Sequence, residues 1–243
     1  MSFRVDSSFV TVCEFCSTAV ARSDRGLEDR GRVVDLIDSQ SPLDLYLEGR
    51  YGDARFEIVG RTQVKHSMGG VWDEWYCAFD SGHWGWLAEA QGRFYMSFST
   101  RANSYPAFGS LSPGQTLSGL TADSLVVAEL GQAQILGAKG EIPYLLEPGG
   151  TYNFADLSGA GGVFGTLDYS EAQPELYLGK EVTLAELGIA VSAPAREEAG
   201  KQISAHALEC PNCRGSLELV APEQCERVAC PYCGALSDVN QGK

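Results

Sequence analysis

Between Phe56 and Phe98 the chain runs in short stretches where apolar and polar residues alternate, each closed by a glycine-bearing turn. The stretches are "RFEIVGRTQVK" (55–65), "EWYCAF" (74–79), "WGWLAE" (84–89) and "RFYMSF" (93–98), with "MGG", "DSG" and "AQG" between them. A period of two marks a strand, and strands joined by such short connections pair antiparallel. A second set follows a Ser/Gly/Pro-rich connector: "SLVVAEL", "QAQILGA", "GEIPYLL", "VFGTLDY" and "ELYLGKEVTL", interrupted by glycines that suit bulges and tight turns. No long amphipathic helix is evident. The sequence predicts a mainly β protein built of short-stranded antiparallel meander or barrel-like units. A β-rich domain over 43–190 divides into units at about 43–103 and 120–190. It follows an N-terminal segment (1–42) and precedes a linker (191–205) and a small module (206–243).

All four tryptophans, Trp72, Trp75, Trp84 and Trp86, fall in the first meander. Short strands need large side chains to bury enough area, so core packing is the first explanation for them. The segment Trp72-Asp73-Glu74-Trp75 allows a second one. Aromatic faces beside carboxylates attract an organic ammonium such as a polyamine. Alternation puts Trp75, Cys77 and Phe79 on one face, which reads as the inward one.

The module at the C-terminal end carries the most specific motif. Cys210-x2-Cys213 and Cys230-x2-Cys233, sixteen residues apart, match the spacing of a four-cysteine zinc ribbon. Four thiolates close a tetrahedral shell, so one zinc ion here is structural, with no open position for catalysis. The segments "SLELVA" and "ERVA" are suited to a hairpin between the two cysteine pairs. An iron–sulfur cluster also accepts four thiolates. Cys13 and Cys16 in "VTVCEFCSTAV" form an incomplete second site, either a remnant or one half of a site shared with a second chain. The shared site would make a homodimer through the N-terminal knuckle.

The net charge of −14 is concentrated: Asp123, Glu129, Glu141, Glu147, Asp156, Asp168, Glu171, Glu175, Glu181 and Glu186 face only Lys139 and Lys180 between 104 and 191. Residues 206–243 are also net acidic, which argues against nucleic acid as a partner. No run of about 18 apolar residues predicts membrane insertion. The N-terminus lacks a secretory signal, and paired CxxC motifs suit a reducing cytoplasm. The three histidines, His66, His83 and His206, stand in no recognisable catalytic frame. Glu141, Asp156 and Asp168 are the acids available for paired-carboxylate chemistry, the lesser expectation.

The stretch "FEIVGRTQV…WDEWYCAF…GWLAEAQGRFYM" resembles the bacterial domain-of-unknown-function family 4178. "LGQAQILGAKGEIPYLLEPG", "FADLSGAGGVFGTLDY" and "PELYLGKEV" extend the likeness over about 43–190. The resemblance brings no established activity with it. It implies neighbours in bacterial membrane-stress and polyamine-synthesis systems, and a cysteine ribbon ahead of the domain, of which only Cys13 and Cys16 remain. The expected function is therefore a non-enzymatic zinc-ribbon binding or scaffold protein acting through protein–protein contacts. The alternative is an organic-cation binding protein using Trp72, Asp73, Glu74 and Trp75.

Overall fold

A computed structural model describes residues 3–190, apart from 24, 25, 34, 35, 38, 91 and 148, and the backbone of four short strands between 208 and 238. The protein is mainly β, and no α-helix occurs among the described residues. Three strands come first: β1 (Val10–Val12), β2 (Thr18–Ser23) and β3 (Gly26–Arg32). The first meander runs through β4 (Glu48–Tyr51), β5 (Ala54–His66), β6 (Val71–Phe79), β7 (Trp84–Ala90) and β8 (Arg93–Thr100). A two-residue strand, β9 (Thr116–Leu117), leads to the longest one, β10 (Leu125–Ile142). The second meander continues with β11 (Thr151–Gly159), β12 (Val163–Asp168) and β13 (Glu175–Val182).

The two meanders close on each other. β8 pairs with β13 along one join, and β5 pairs with β10 along the other. The result is an eight-stranded antiparallel barrel in the order β5-β6-β7-β8-β13-β12-β11-β10 and back to β5. Closing a sheet requires its strands to bend. β5 and β10 do so through register shifts at Ile58/Gly60, Val127/Glu129 and Ile135/Gly137. At the β5–β10 join, Gly60 faces Gly140 in the ladder. A Cβ on Gly60 would lie 1.6 Å from the Glu141 carbonyl oxygen, and one on Gly140 would lie 2.3 Å from that of Val59. Only glycine permits this approach.

Both faces of the barrel wall are covered, which inverts the usual place of the core. One aliphatic and aromatic cluster, including Phe56, Ile58, Trp75, Leu87 and Met96, packs outside the wall under Leu43, Leu187 and Ile189. A second, around Leu125, Leu157, Leu167 and Leu176, packs outside the opposite wall under Leu111 and Leu120. The expectation that Trp75, Cys77 and Phe79 are core residues agrees with this burial. Their direction differs, since they point away from the barrel axis.

The N-terminal segment closes one end. β1 joins the end of β10 by pairing Val10 with Ile142, and ahead of it residues 3–8 cross the barrel base. Glu141, only 4% exposed, accepts the Arg4 and Val5 backbone N–H groups at 2.5 and 3.2 Å. Val5 packs on the cluster of Val59, Tyr76 and Trp86 that fills the base. Ser7 Oγ and the Tyr76 hydroxyl share a hydrogen bond at 2.6 Å.

In the C-terminal module, β14 (Leu208–Glu209) pairs with β15 (Ser216–Leu217), and β16 (Arg227–Ala229) pairs with β17 (Leu236–Asp238). Among the described residues these are two separate ladders, each bracketing one CxxC in the sequence, while the rest of "SLELVA", expected to pair with "ERVA", lies outside them. Cys210, Cys213, Cys230 and Cys233 themselves lie outside the described residues, as does the linker 191–205. No helix among the described residues is long and apolar enough to cross a membrane.

Candidate functional site

Alternation along eight inward faces encloses a cavity of about 670 Å³, a volume typical of small-molecule sites. Every barrel strand contributes to its lining. Its floor is aromatic: Tyr76, Trp84, Trp86, Tyr144 and Tyr177 stand in a chain of ring contacts with centroids 5.6–6.4 Å apart. Its mouth lies at the end bearing the β5–β6 and β7–β8 turns, where Met68, Val71 and Arg93 reach solvent.

The tetrapeptide Trp72-Asp73-Glu74-Trp75 is divided by the pleat. Trp72 and Glu74 point into the cavity. Asp73 and Trp75 point out, because successive residues of a strand face opposite sides. Asp73 is 2% exposed and is held by Arg61, Nε to Oδ1 at 2.8 Å and Nη2 to Oδ2 at 3.0 Å, with Gln63 Nε2 donating at 3.2 Å. Trp75 Nε1 donates to Glu89 Oε2 at 3.0 Å, and the Arg61 guanidinium stacks 5.0 Å from its ring centre. The four residues expected to form a cation site are thus divided: Trp72 and Glu74 line the cavity, and Asp73 and Trp75 are tied into the outer core.

Other strands supply what those two lack. On β11, Tyr152, Phe154 and Asp156 are inward; on β12, Phe164, Thr166 and Asp168 are. Asp156 and Asp168 therefore share the cavity, whereas Glu141 stands apart at the N-terminal segment and forms no acid pair with them. Sequence reading did not single out Tyr152, Phe154 or Tyr177, and placed His66 in no catalytic frame. The signal was present in "YNFAD" and "FGTLD", where an acid shares the period-two face of aromatic residues.

The electrostatics of this cavity are one-sided. Burial pushes the Glu74 carboxyl up to about 7; the Trp72 indole N–H, 3.0 Å from Oε1, opposes the shift, and Asp168, Asp156 and Asp73 add to it. Burial also raises Asp156 to about 6 against a hydrogen bond from Thr166 Oγ1, with the Glu129 charge reinforcing the rise. Asp168 is raised by burial as well, although the Ser170 N–H donates to it. Burial likewise lifts the phenols of Tyr152 and Tyr177, so both remain neutral donors. Among the described lining residues the basic side chains are His66 and Arg93, and Arg93 is engaged bidentately by Glu181. His66 accepts the Met68 N–H at Nδ1, leaving Nε2 as the protonated nitrogen of the neutral ring. That nitrogen lies 3.2 Å from Glu129 Oε1 but lacks hydrogen-bond alignment with it.

No family model, curated protein or solved structure matches the chain. The likeness to family 4178 accordingly stays an expectation drawn from the residues quoted for it, and the chemistry of the site rests on its own geometry.

None of the three described cysteines lines the cavity. Cys13 and Cys16 sit on the β1–β2 turn, where Ser17 N–H donates to the Cys13 carbonyl at 2.9 Å and Cys16 is exposed. Among the described residues no group of three or more His, Cys, Asp or Glu side chains is placed to hold a metal ion. Cys77 is sealed in the outer core, where burial pushes its thiol well up and keeps it unreactive.

Proposed function

We propose that the barrel binds a small organic cation bearing an ammonium group. The observation that carries this reading is the set of inward carboxylates, Glu74, Asp156 and Asp168, in an aromatic-lined cavity where no described basic side chain pairs with them. A buried charge is stable only when paired or neutralised. An ammonium offers that pairing, and the faces of Trp72, Trp86 and Tyr152 favour it further. Shape and sign point the same way.

Calorimetric titration of the full chain with spermidine at pH 8 and low salt tests the reading. Saturable binding is expected, and Glu74→Gln should weaken it about tenfold or more, which is about 1.4 kcal/mol. Affinity should fall between pH 8 and pH 5, as protons compete for Glu74 and Asp156. Organic cations that give no heat and no thermal shift at any of these pH values would reject the proposal.

We also propose that Cys210, Cys213, Cys230 and Cys233 hold one structural zinc ion. The motif spacing and the two short ladders that bracket it support this reading. The module would then serve contacts with protein partners, since its closed shell leaves no room for chemistry. Elemental analysis of the purified chain should give one zinc per molecule, and Cys230→Ser should release it. A metal-free wild-type protein would sink this assignment.

A further inference from the structure

The inward acids fall into two pairs at different depths. Glu129 and Asp156 are direct cross-strand partners on β10 and β11. Such partners sit about 5 Å apart between Cβ atoms, where like charges destabilise a ladder; His66 Nε2 lies 3.2 Å from Oε1 of the half-exposed Glu129, and no described ion pair reaches Asp156. Asp168 is one inward step deeper: its ladder partner on β11 is Phe154, while that of Asp156 is Thr166. Diagonal neighbours of this kind lie about 7–8 Å apart. Glu74 projects from β6, on the far side of the barrel order from β12, and lines the same cavity as Asp168.

Aromatic surface flanks the two levels. Phe154, opposite Asp168 in the ladder and on the same inward face as Asp156, meets the Trp72 ring edge-on at 6.1 Å. At the deeper level the Trp72 indole N–H donates to Oε1 of Glu74, and burial keeps the Tyr152 phenol protonated. All three residues line the cavity.

We infer that the ligand carries two ammonium groups joined by a short apolar chain, one between Glu129 and Asp156 and the other between Glu74 and Asp168. This rests on the organic-cation reading and narrows it to α,ω-diamines. A carboxylate on the ligand, as in a dibasic amino acid, would meet four acids and be repelled. Phe154 and Trp72 border the path of the connecting chain. Linking two ammonium groups makes the second contact intramolecular, so affinity should exceed that of a single amine.

The test titrates the full chain at pH 8 with butylamine, 1,4-diaminobutane and lysine. The diamine should bind one per chain, at least about tenfold tighter than butylamine. Lysine, which has both amines plus a carboxylate, should bind more weakly than the diamine. Asp168→Asn, which keeps an acceptor for the Ser170 N–H, should bring diamine affinity down towards that of butylamine while changing butylamine binding less. Equal affinity for butylamine and the diamine would overturn the two-station inference and leave the organic-cation reading intact. Lysine binding as tightly as the diamine would overturn it too. Failure of every amine to bind would remove both.

Discussion

Trp75→Ala is expected to destabilise the barrel by about 3–5 kcal/mol, the cost of deleting a large aromatic from a packed core. Trp75 is 1% exposed and packs among Phe56, Leu87 and Met96 on the outer side of the wall. Its loss also removes the N–H that Glu89 accepts and the ring beneath Arg61, so a polar network already buried loses two contacts at once. Trp72, three residues earlier, borders the cavity and should behave differently: Trp72→Ala should cost less stability and weaken cation binding more. Urea unfolding followed by tryptophan fluorescence measures both, because all four tryptophans lie in the barrel. A loss below about 1 kcal/mol for Trp75→Ala would contradict its place in the core.

Raising the pH from 5 to 8 is expected to cost the free barrel about 2.5 kcal/mol through Glu74 alone. The carboxyl rises from an ordinary 4.5 to about 7 in the folded protein. Between those values the folded state holds a proton that the unfolded chain has released. Stability from this group is therefore complete below about pH 4.5 and disappears as the pH passes 7. Asp156, raised to about 6, acts in the same direction over a slightly lower range. Glu74→Gln should flatten the profile and make the protein more stable than wild type at pH 8. An organic cation bound between the carboxylates should restore wild-type stability at that pH. Unfolding free energies that rise from pH 5 to 8 would show that the inward acids are not destabilised by burial.

Much of the strand pattern was legible. "RFEIVGRTQVK" lies inside β5, and "WGWLAE" and "RFYMSF" coincide closely with β7 and β8, because a half-buried strand writes its period directly into the sequence. Three predicted strands from "SLVVAEL" to "GEIPYLL" prove to be largely one, β10, and Pro143 follows its last residue, Ile142. Gly131 and Gly140 do not break that strand; Phe154 and the Val59 carbonyl approach too closely there for any side chain. The direction of each face was not legible. When both faces of a wall are covered, alternation separates Glu74 from Trp75 without saying which one meets the cavity. The pairing of acids from β6, β10, β11 and β12 depends on closure, and closure depends on contacts between residues such as Gly60 and Gly140, eighty positions apart in the chain.

That closure also makes each meander depend on the other. Each meander, cut free of the other, would present two edges of unpaired amide and carbonyl groups, one at each former join, and exposed edges of that length recruit further strands. Each would also hold only part of the cavity lining, since Glu74 belongs to one and Glu129, Asp156 and Asp168 to the other. A cut at the two joins would therefore open both halves at once, and neither meander alone would keep a closed wall.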